Sequence, residues 1–160
     1  EGNEKALAEC EGVEVLERQT ANWSRAEAQS LMENWLTSHG SDIKGVIAQN
    51  DEMALGAIEA IKAAGMDVSD FAIAGVDGVT DALNAVKRGE MDSILQDATG
   101  QAQGAIDVAI KAVMPDYEPQ SPLWEDYPEL DWADGGETLY QVPWTPVTMD
   151  NVDELLAERQ

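Results

Sequence analysis

The chain has 160 residues, 44% of them apolar, which predicts one globular core. No apolar run is long enough to cross a bilayer, and a single cysteine and a single histidine exclude a disulfide framework and a Cys/His zinc site. Nine basic against 32 acidic residues give a net charge of −23, which repels phosphate backbones and argues against nucleic-acid binding. Because the acids are spread along the chain, we interpret them as a solvated surface adapted to a salty medium.

The first predicted elements are the end of a helix and a strand. Asn3–Glu9 is predicted to be helical, and Val13–Leu16 to be the first strand after a break at Gly12. Cys10 is predicted to be a small, buried or half-buried residue. The chain opens inside a helix and without a methionine, so we expect a piece of a longer protein.

A polar corner and a capped helix are predicted next. Ser24 and Glu27 have the spacing of a capping box, and the helix is predicted to run to about Ser38. Trp23 lies in the corner, and Arg25 in the exposed first turn is expected to pair with surface acids.

The stretch Gly45–Gly78 predicts a βαβ unit. Apolar runs at Gly45–Ala48 and Phe71–Val76 predict two strands, and an apolar stripe between them predicts a helix that Gly65 ends. A helical crossover between two strands implies a parallel sheet. Polar residues follow each strand, at the carboxyl ends where ligands bind to open α/β sheets: Gln49, Asn50, Asp51 and Asp77.

The pattern then continues to the end of the chain. A helix and a strand at Met91–Leu95, ending at Gln96, are predicted after the βαβ unit, so that the order βαβαβαβ predicts a doubly wound α/β sheet. A helix over Thr99–Met114 is predicted to follow. We expect an irregular, acidic surface loop after it, a short strand at Leu139–Val142, and a last helix capped by Asp150.

Three motifs carry a family resemblance. Asn50–Gly56 (NDEMALG), Gly75–Gly78 (GVDG) and Ile94–Gln96 (ILQ), in this order and spacing, resemble the sugar-binding subunits of bacterial ABC importers, of the ribose and xylose type. The resemblance spans about residues 1–113 and resumes at Pro143–Leu155. It implies one lobe of the two-lobed type I periplasmic binding protein fold, divided as follows: 1–97, the C-terminal sugar-binding lobe; 98–114, a crossover helix that packs on the N-terminal lobe; 115–138, an irregular acidic loop; and 139–160, a C-terminal return segment and helix.

The resemblance also implies which residues bind the sugar. Trp23 matches the aromatic residue that stacks on the sugar ring, and Asn50, Asp77 and Gln96 match side chains that hydrogen-bond its hydroxyls. Simpler roles stay open for three of them: a core position for Trp23, helix capping for Asn50, and a turn for Asp77. We assign capping mainly to Asp51 and ligand contact mainly to Asn50.

The implied function is monosaccharide binding for an ABC importer in the periplasm, with the permease as partner of the full-length protein. No catalytic residue, metal ligand or cofactor is predicted, because the nucleophile and phosphate-loop motifs of enzymes are missing and His39 is the single histidine. Two alternatives remain: the effector-binding core of a LacI-type repressor, and a small α/β enzyme.

The helix over Thr99–Met114 suggests a further partner. Its apolar stripe would lie against the N-terminal lobe in the family, and that lobe is not part of this chain. An apolar stripe of this kind is unusual on a surface that is exposed to solvent. We expect it either to fold back on the sheet or to dock on a second copy, and we favour the second copy. Its members are Ala102, Ala105, Ile106, Ala109, Ile110 and Val113.

Overall fold

The protein is described by a computed structural model that covers residues 2–136 and 140–159. These residues form two compact units, residues 1–74 and residues 75–160. The first unit contains α1 (Gly2–Ala8), α2 (Arg25–His39), β1 (Gly45–Ile47), α3 (Asp51–Ala63) and β2 (Ala72–Ala74). The second contains α4 (Thr80–Lys87), β3 (Ser93–Gln96), α5 (Ala98–Val113), α6 (Leu123–Asp126), β4 (Trp144–Val147) and α7 (Val152–Ala157).

The first unit is built on the predicted βαβ arrangement. Strands β1 and β2 run parallel, with Gly45 opposite Ala72 and Ile47 opposite Ala74. The pairing continues beyond β1, where the Ala48 N–H donates to the Ala74 carbonyl at 2.9 Å. Helix α3 makes the crossover between the strands, so the predicted parallel pairing is confirmed.

Helices α2 and α3 pack closely against each other in this unit. The approach depends on Gly56, because a Cβ at that position would overlap the carbonyl oxygen of Arg25 and lie 3.0 Å from the backbone nitrogen of Gln29. A residue without a side chain therefore sets the distance between the two helices. Buried apolar side chains of the two helices include Ala28, Met32, Ala54, Ala57, Ile58 and Ile61.

In the second unit, the residues that precede α4 pair with β3. The Gly75 N–H donates to the Asp92 carbonyl at 3.0 Å, and the Asp77 N–H donates to the Ile94 carbonyl at 2.9 Å. Asp77 and Leu95 form a parallel bridge, while β3 pairs on its other edge with β4 in antiparallel order. Helices α4 and α7 pack together. The predicted α/β class with parallel strands is confirmed.

The predicted first strand is wrong. Residues Val13–Leu16 have no regular secondary structure, and the side chains of Val13, Val15 and Leu16 are 54%, 41% and 38% exposed. No described strand pairs with this segment, so its apolar side chains have no sheet face to cover. Cys10 is exposed rather than half-buried, because it follows α1, a helix that buries none of its residues.

The C-terminal segment also differs from the prediction. Leu139 lies outside the described residues, and Tyr140–Val142 form no strand; the strand is β4, where the chain can pair with β3. Asp150 does not cap the last helix. The N-cap of α7 is Asn151, whose Oδ1 is already engaged by the Thr148 N–H at 2.8 Å in the preceding turn.

The segment predicted as an irregular surface loop packs on α5. Leu123, at the start of α6, is 1% exposed and lies over Gly100 and Gly104, where added Cβ atoms would come within 3.0 and 2.7 Å of it. Three aromatic rings cluster beside it at centroid distances of 4.8, 5.2 and 6.2 Å: Trp124, Trp132 and Tyr140. The domain boundaries at residues 97, 114 and 138 stay predictions.

Asp107 holds that segment on the helix. Its carboxylate is 3% exposed and accepts hydrogen bonds from Tyr117 Oη at 2.6 Å, Ser121 Oγ at 2.5 Å and Trp124 Nε1 at 2.7 Å. Burial acts to raise the pKa of Asp107, but these donors and the Gln120 N–H outweigh it and lower the pKa to about 2. Folding therefore favours the ionised form of the Asp107 carboxyl group.

The predicted apolar stripe of α5 lies on a different side of the helix from the residues that contact this segment. Ile106 and Val113 are 59% and 78% exposed, whereas the buried residues of α5 are Gly100, Gly104 and Asp107. The helix thus does not fold back onto the second unit through its stripe. Within the part of the chain that the structure describes, no helix is long and apolar enough to cross a membrane.

Candidate functional site

Trp23 lies in an unusual backbone corner of the first unit. Both Asn22 and Trp23 have positive φ angles, 49° and 56°, a region that side chains other than glycine seldom occupy. The corner is closed by the Ser24 N–H, which donates to the Ala21 carbonyl at 2.8 Å, and the Trp23 side chain is 73% exposed. The core alternative for Trp23 is therefore wrong, and its ring is free to contact a ligand.

The helix that follows the corner begins as predicted. Ser24 is the N-cap of α2, and its Oγ accepts a hydrogen bond from the Glu27 N–H at 3.3 Å. Arg25 pairs with the carboxylate of Glu52 at 2.9 Å and with that of Glu59 at 3.7 Å. These ion pairs confirm the structural role that we expected for Arg25 and join the first turn of α2 to α3.

Asn50, not Asp51, caps α3. The side-chain oxygen of Asn50 accepts a hydrogen bond from the Met53 N–H at 3.0 Å, whereas Asp51 is fully buried. Asn50 adopts the extended backbone of an N-cap residue, so its oxygen faces the first turn of the helix. Its amide nitrogen has no hydrogen-bond partner among the described residues, which leaves two donors for a ligand. Capping and ligand contact are thus compatible in one side chain.

Asp77 lies in a strained corner of the second unit. Its φ angle is 115°, which is rare for a residue with a side chain, and Gly78 follows with a φ of 66°. A Cβ at Gly78 would lie 2.9 Å from Leu95 Cδ1, so only glycine fits this close to β3. An Arg159 guanidinium nitrogen donates to the Gly78 carbonyl oxygen.

The Asp77 carboxylate is available to a ligand. It has no hydrogen-bond partner among the described residues, and partial burial raises the pKa of Asp77 above its ordinary value. A half-buried acceptor without a partner is costly, and strain of this kind is concentrated at functional sites. A role for Asp77 in the turn alone would explain why Gly78 follows it, but not why its carboxylate has no partner among the described residues.

Gln96 ends β3 in the second unit. It is half-buried, its side-chain amide has no hydrogen-bond partner among the described residues, and its direct neighbour across the antiparallel pair is Trp144. Gln96 lies one residue beyond Leu95, the bridge partner of Asp77. The structure thus brings two predicted contacts, Asp77 and Gln96, to the carboxyl end of β3.

Sequence reasoning did not single out Arg159 or Trp144 as neighbours of these corners. Arg159 lies 81 positions from Gly78 and reaches it only because α7 packs against α4. The pairing of Trp144 with Gln96 depends on the register of β4, which the sequence placed at Leu139–Val142. Neither distance along the chain nor periodicity could have revealed these contacts.

In residues 2–136 and 140–159 there is no cluster of three His, Cys, Asp or Glu side chains arranged to hold a metal ion. His39, the last residue of α2, contacts Glu17 at 3.2 Å. The predicted ligand residues offer two half-buried amides, a half-buried carboxylate and an exposed indole ring.

The comparisons with known proteins agree with this chemistry. Residues 1–114 match the model of the periplasmic binding protein domain family. The chain is 50% identical over 107 residues to a putative rhizopine-binding protein of Rhizobium meliloti, covering 66% of this chain and 34% of that protein. It is 44% identical over 109 residues to a xylitol-binding protein of Mycolicibacterium smegmatis, covering 68% and 31%.

Solved structures of the same class resemble nearly the whole chain. A solute binding protein of an ABC transporter from Bacillus halodurans with bound myo-inositol superposes with a TM-score of 0.73 at 37% identity, covering 98% of this chain and 48% of that one. A periplasmic solute binding protein from Actinobacillus succinogenes with bound D-allose gives 0.76 at 28%, covering 96% and 48%. The chain spans about half of these structures and about a third of the curated relatives. It belongs to the periplasmic binding protein domain family, among the type I sugar-binding proteins, and covers one lobe of their fold.

Proposed function

We propose that the chain supplies half of the monosaccharide site of a solute-binding protein that serves an ABC importer. The relatives are binding proteins, and the solved ones include complexes with myo-inositol and D-allose. This favours the importer over the LacI-type repressor and the small enzyme. The full-length protein would work in the periplasm, close around the sugar by a hinge motion and deliver it to a permease without chemical change.

The observation that carries the proposal is the Asp77 carboxylate. It is half-buried, unpaired among the described residues and held in a strained corner at the end of a parallel pairing. A sugar hydroxyl would supply the donor that this acceptor lacks. A hydrogen bond to a charged acceptor contributes about 1.5–3 kcal/mol, more than a bond to a neutral amide.

The other three proposed contacts have complementary chemistry. Asn50 offers its amide nitrogen while its oxygen caps α3, and Gln96 offers both a donor and an acceptor. The exposed ring of Trp23 offers a flat apolar surface to the C–H groups of a sugar. Trp23 and Asn50 belong to the first unit, and Asp77 and Gln96 to the second.

Calorimetry on the full-length protein tests the proposal, with myo-inositol, D-allose, xylitol and D-ribose as ligands. Asp77→Ala and Trp23→Ala should each cost about 2–4 kcal/mol, or about 30- to 1000-fold in affinity. Glu52→Ala is the control, because the Glu52 carboxylate is already engaged by Arg25. If both variants kept wild-type affinity for every ligand that binds, these residues would not belong to the site.

Two further measurements separate the alternatives. A turnover scan with sugars and sugar phosphates should show no product if the protein only binds its ligand. Specific binding to a DNA operator by the full-length protein would instead support the repressor, although the charge of −23 on this chain opposes contact with phosphates.

A further inference from the structure

We propose that Trp144 is a second aromatic ligand contact and that, with Gln101 and Gln141, it selects neutral polyhydroxylated compounds. This inference rests on the proposed function, because it extends the sugar contacts of the second unit. It concerns residues of that unit alone.

The register of the sheet places Trp144 beside Gln96. The two residues are direct partners in the antiparallel pair of β3 and β4, so their side chains project from the same face, with Cβ atoms about 4.5–5.5 Å apart. A ligand that hydrogen-bonds to Gln96 is therefore within reach of the Trp144 ring.

The Trp144 side chain is free to make such a contact. It is 52% exposed, and its indole nitrogen has no hydrogen-bond partner among the described residues. By contrast, the indole Nε1–H of Trp124 donates a hydrogen bond to the Asp107 carboxylate. An exposed indole at the end of a strand, next to an unpaired amide, offers both an apolar face and a donor.

A cavity of about 490 Å³ opens beside this ring. Its size is within the range of small-molecule sites, about 300–1,000 Å³. The lining includes two glutamines, two aromatic residues and two small apolar residues: Gln101, Tyr140, Gln141, Val142, Pro143 and Trp144.

The chemistry of the lining indicates the class of ligand. None of the six side chains carries a charge, although 26% of the residues in the chain are charged. Amide groups match hydroxyls as donors and acceptors, and aromatic rings match C–H faces. None of these six side chains would compensate a phosphate or carboxylate group, and the Asp77 carboxylate of the same proposed site would repel an anion. The cavity thus fits a neutral polyol and disfavours its anionic derivatives.

Nuclear magnetic resonance on the 160-residue chain tests the inference separately from the proposed function. The chain, labelled with ¹⁵N, is titrated with myo-inositol, D-ribose and xylitol up to high millimolar concentration. The backbone amides of Asp77 and Gln96 report on the proposed function. The Trp144 indole N–H and the side-chain amides of Gln101 and Gln141 report on the further contact, and the spectrum of Trp144→Phe assigns the indole signal.

Shifts in both groups of signals with one ligand are expected. Shifts at Asp77 and Gln96 without any at Trp144, Gln101 or Gln141 would overturn the inference and leave the proposed function standing. The absence of shifts in both groups with all three ligands would overturn both. Ribose 5-phosphate should shift the Trp144 signals less than ribose at equal concentration, and an equal or larger shift would refute selection of neutral ligands.

Affinity measurements on variants complete the test. Trp144→Leu should weaken binding of the ligand that gives shifts by about tenfold, from the loss of the aromatic face. Met149→Leu is the control, because Met149 is 62% exposed and does not line the cavity. Equal affinities for Trp144→Leu and the wild-type chain, with the fold intact in the spectrum, would remove Trp144 from the site.

Discussion

Gly56 of α3 faces the backbone of Arg25 in α2 so closely that no side chain fits between them. Gly56 is the last residue of the NDEMALG motif, whose first residue, Asn50, is a proposed ligand contact. The motif thus combines two features: its first residue caps the helix and is proposed to contact the ligand, and its last residue permits the packing of α3 against α2. Fixing α3 against α2 also fixes the position of Asn50 within the first unit.

Gly56→Ala should destabilise the protein. Alanine normally stabilises a helix relative to glycine by about 1 kcal/mol, but here the Cβ would overlap the Arg25 carbonyl oxygen, and overpacking costs about 1–3 kcal/mol. We expect a net loss in the free energy of unfolding, measured by urea denaturation. The difference in unfolding free energy between Lys62→Gly and Lys62→Ala measures the helix propensity of alanine relative to glycine at an exposed position of the same helix. A Gly56→Ala protein more stable than the wild type would contradict the close approach.

Asp107→Asn should loosen the segment that packs on α5. The substitution replaces one acceptor oxygen by an NH₂ group that opposes the donors from Tyr117, Ser121 or Trp124. We expect a loss of about 2–4 kcal/mol in unfolding free energy and faster hydrogen exchange at the Trp124 indole. Asp116→Asn, an exposed acid in the same segment, should change neither measurement.

The pH dependence of stability gives a second measure of Asp107. Its pKa of about 2 in the folded state lies below the ordinary value of 3.8, so the ionised form is bound more tightly to its donors in the fold. This contributes about 2 kcal/mol that is fully present above about pH 4 and is lost as the pH falls towards about 2. In Asp107→Asn the stability should vary less across this range. An unchanged acid profile would show that Asp107 is not the group responsible.

The sequence predicted those elements whose signals are local or strictly periodic. The βαβ unit, the Ser24 cap and the end of α3 at Gly65, which has a φ of 72°, follow from apolar period, cap chemistry and glycine geometry. The strand predicted at Val13–Leu16 is wrong because an alternating apolar pattern forms a strand only where another strand is present to pair with it.

The parts that could not be predicted depend on contacts between distant residues. The hydrogen bonds to Asp107 come from residues 10 to 17 positions away, through a segment with no periodic pattern. Asn50 and Asp51 are both good capping residues, and only the burial of Asp51 decides between them. The pairing of Gln96 with Trp144 depends in the same way on a strand register that composition does not encode.

Ligand binding should weaken as the pH falls, because burial raises the pKa of Asp77. Protonation removes the charged acceptor, so affinity should decline through that raised pKa, at a higher pH than an ordinary aspartate would give. Calorimetry on the full-length protein between about pH 7 and pH 4 measures the effect. Asp77→Asn, which has no titrating group, should bind more weakly at neutral pH and show a flatter profile. Parallel profiles for the two proteins would exclude Asp77 as the titrating contact.

Salt should stabilise the fold. The charge of −23 makes the compact state repel itself, and the Debye length falls from about 10 Å at 0.1 M to about 3 Å at 1 M salt. The melting temperature should therefore rise from dilute buffer to molar sodium chloride and then level off. Sucrose at matched osmolality controls for general solvent effects. A melting temperature that is flat or falls with sodium chloride would contradict the interpretation of the acids as an adaptation to salt.

The exposed stripe of α5 should mediate association of the 160-residue chain with a second copy. Ile106 and Val113 are 59% and 78% exposed, and covering such apolar surface contributes about 25 cal/mol for each Å² removed from water. Light scattering behind a sizing column should show a dimer at high micromolar concentration. Replacing both residues by lysine should give a monomer with an unchanged fold, because neither side chain is buried. Met149→Lys, at a residue 62% exposed outside the stripe, should leave the dimer intact. A wild-type chain that stays monomeric at this concentration would show that the stripe does not bind a second copy.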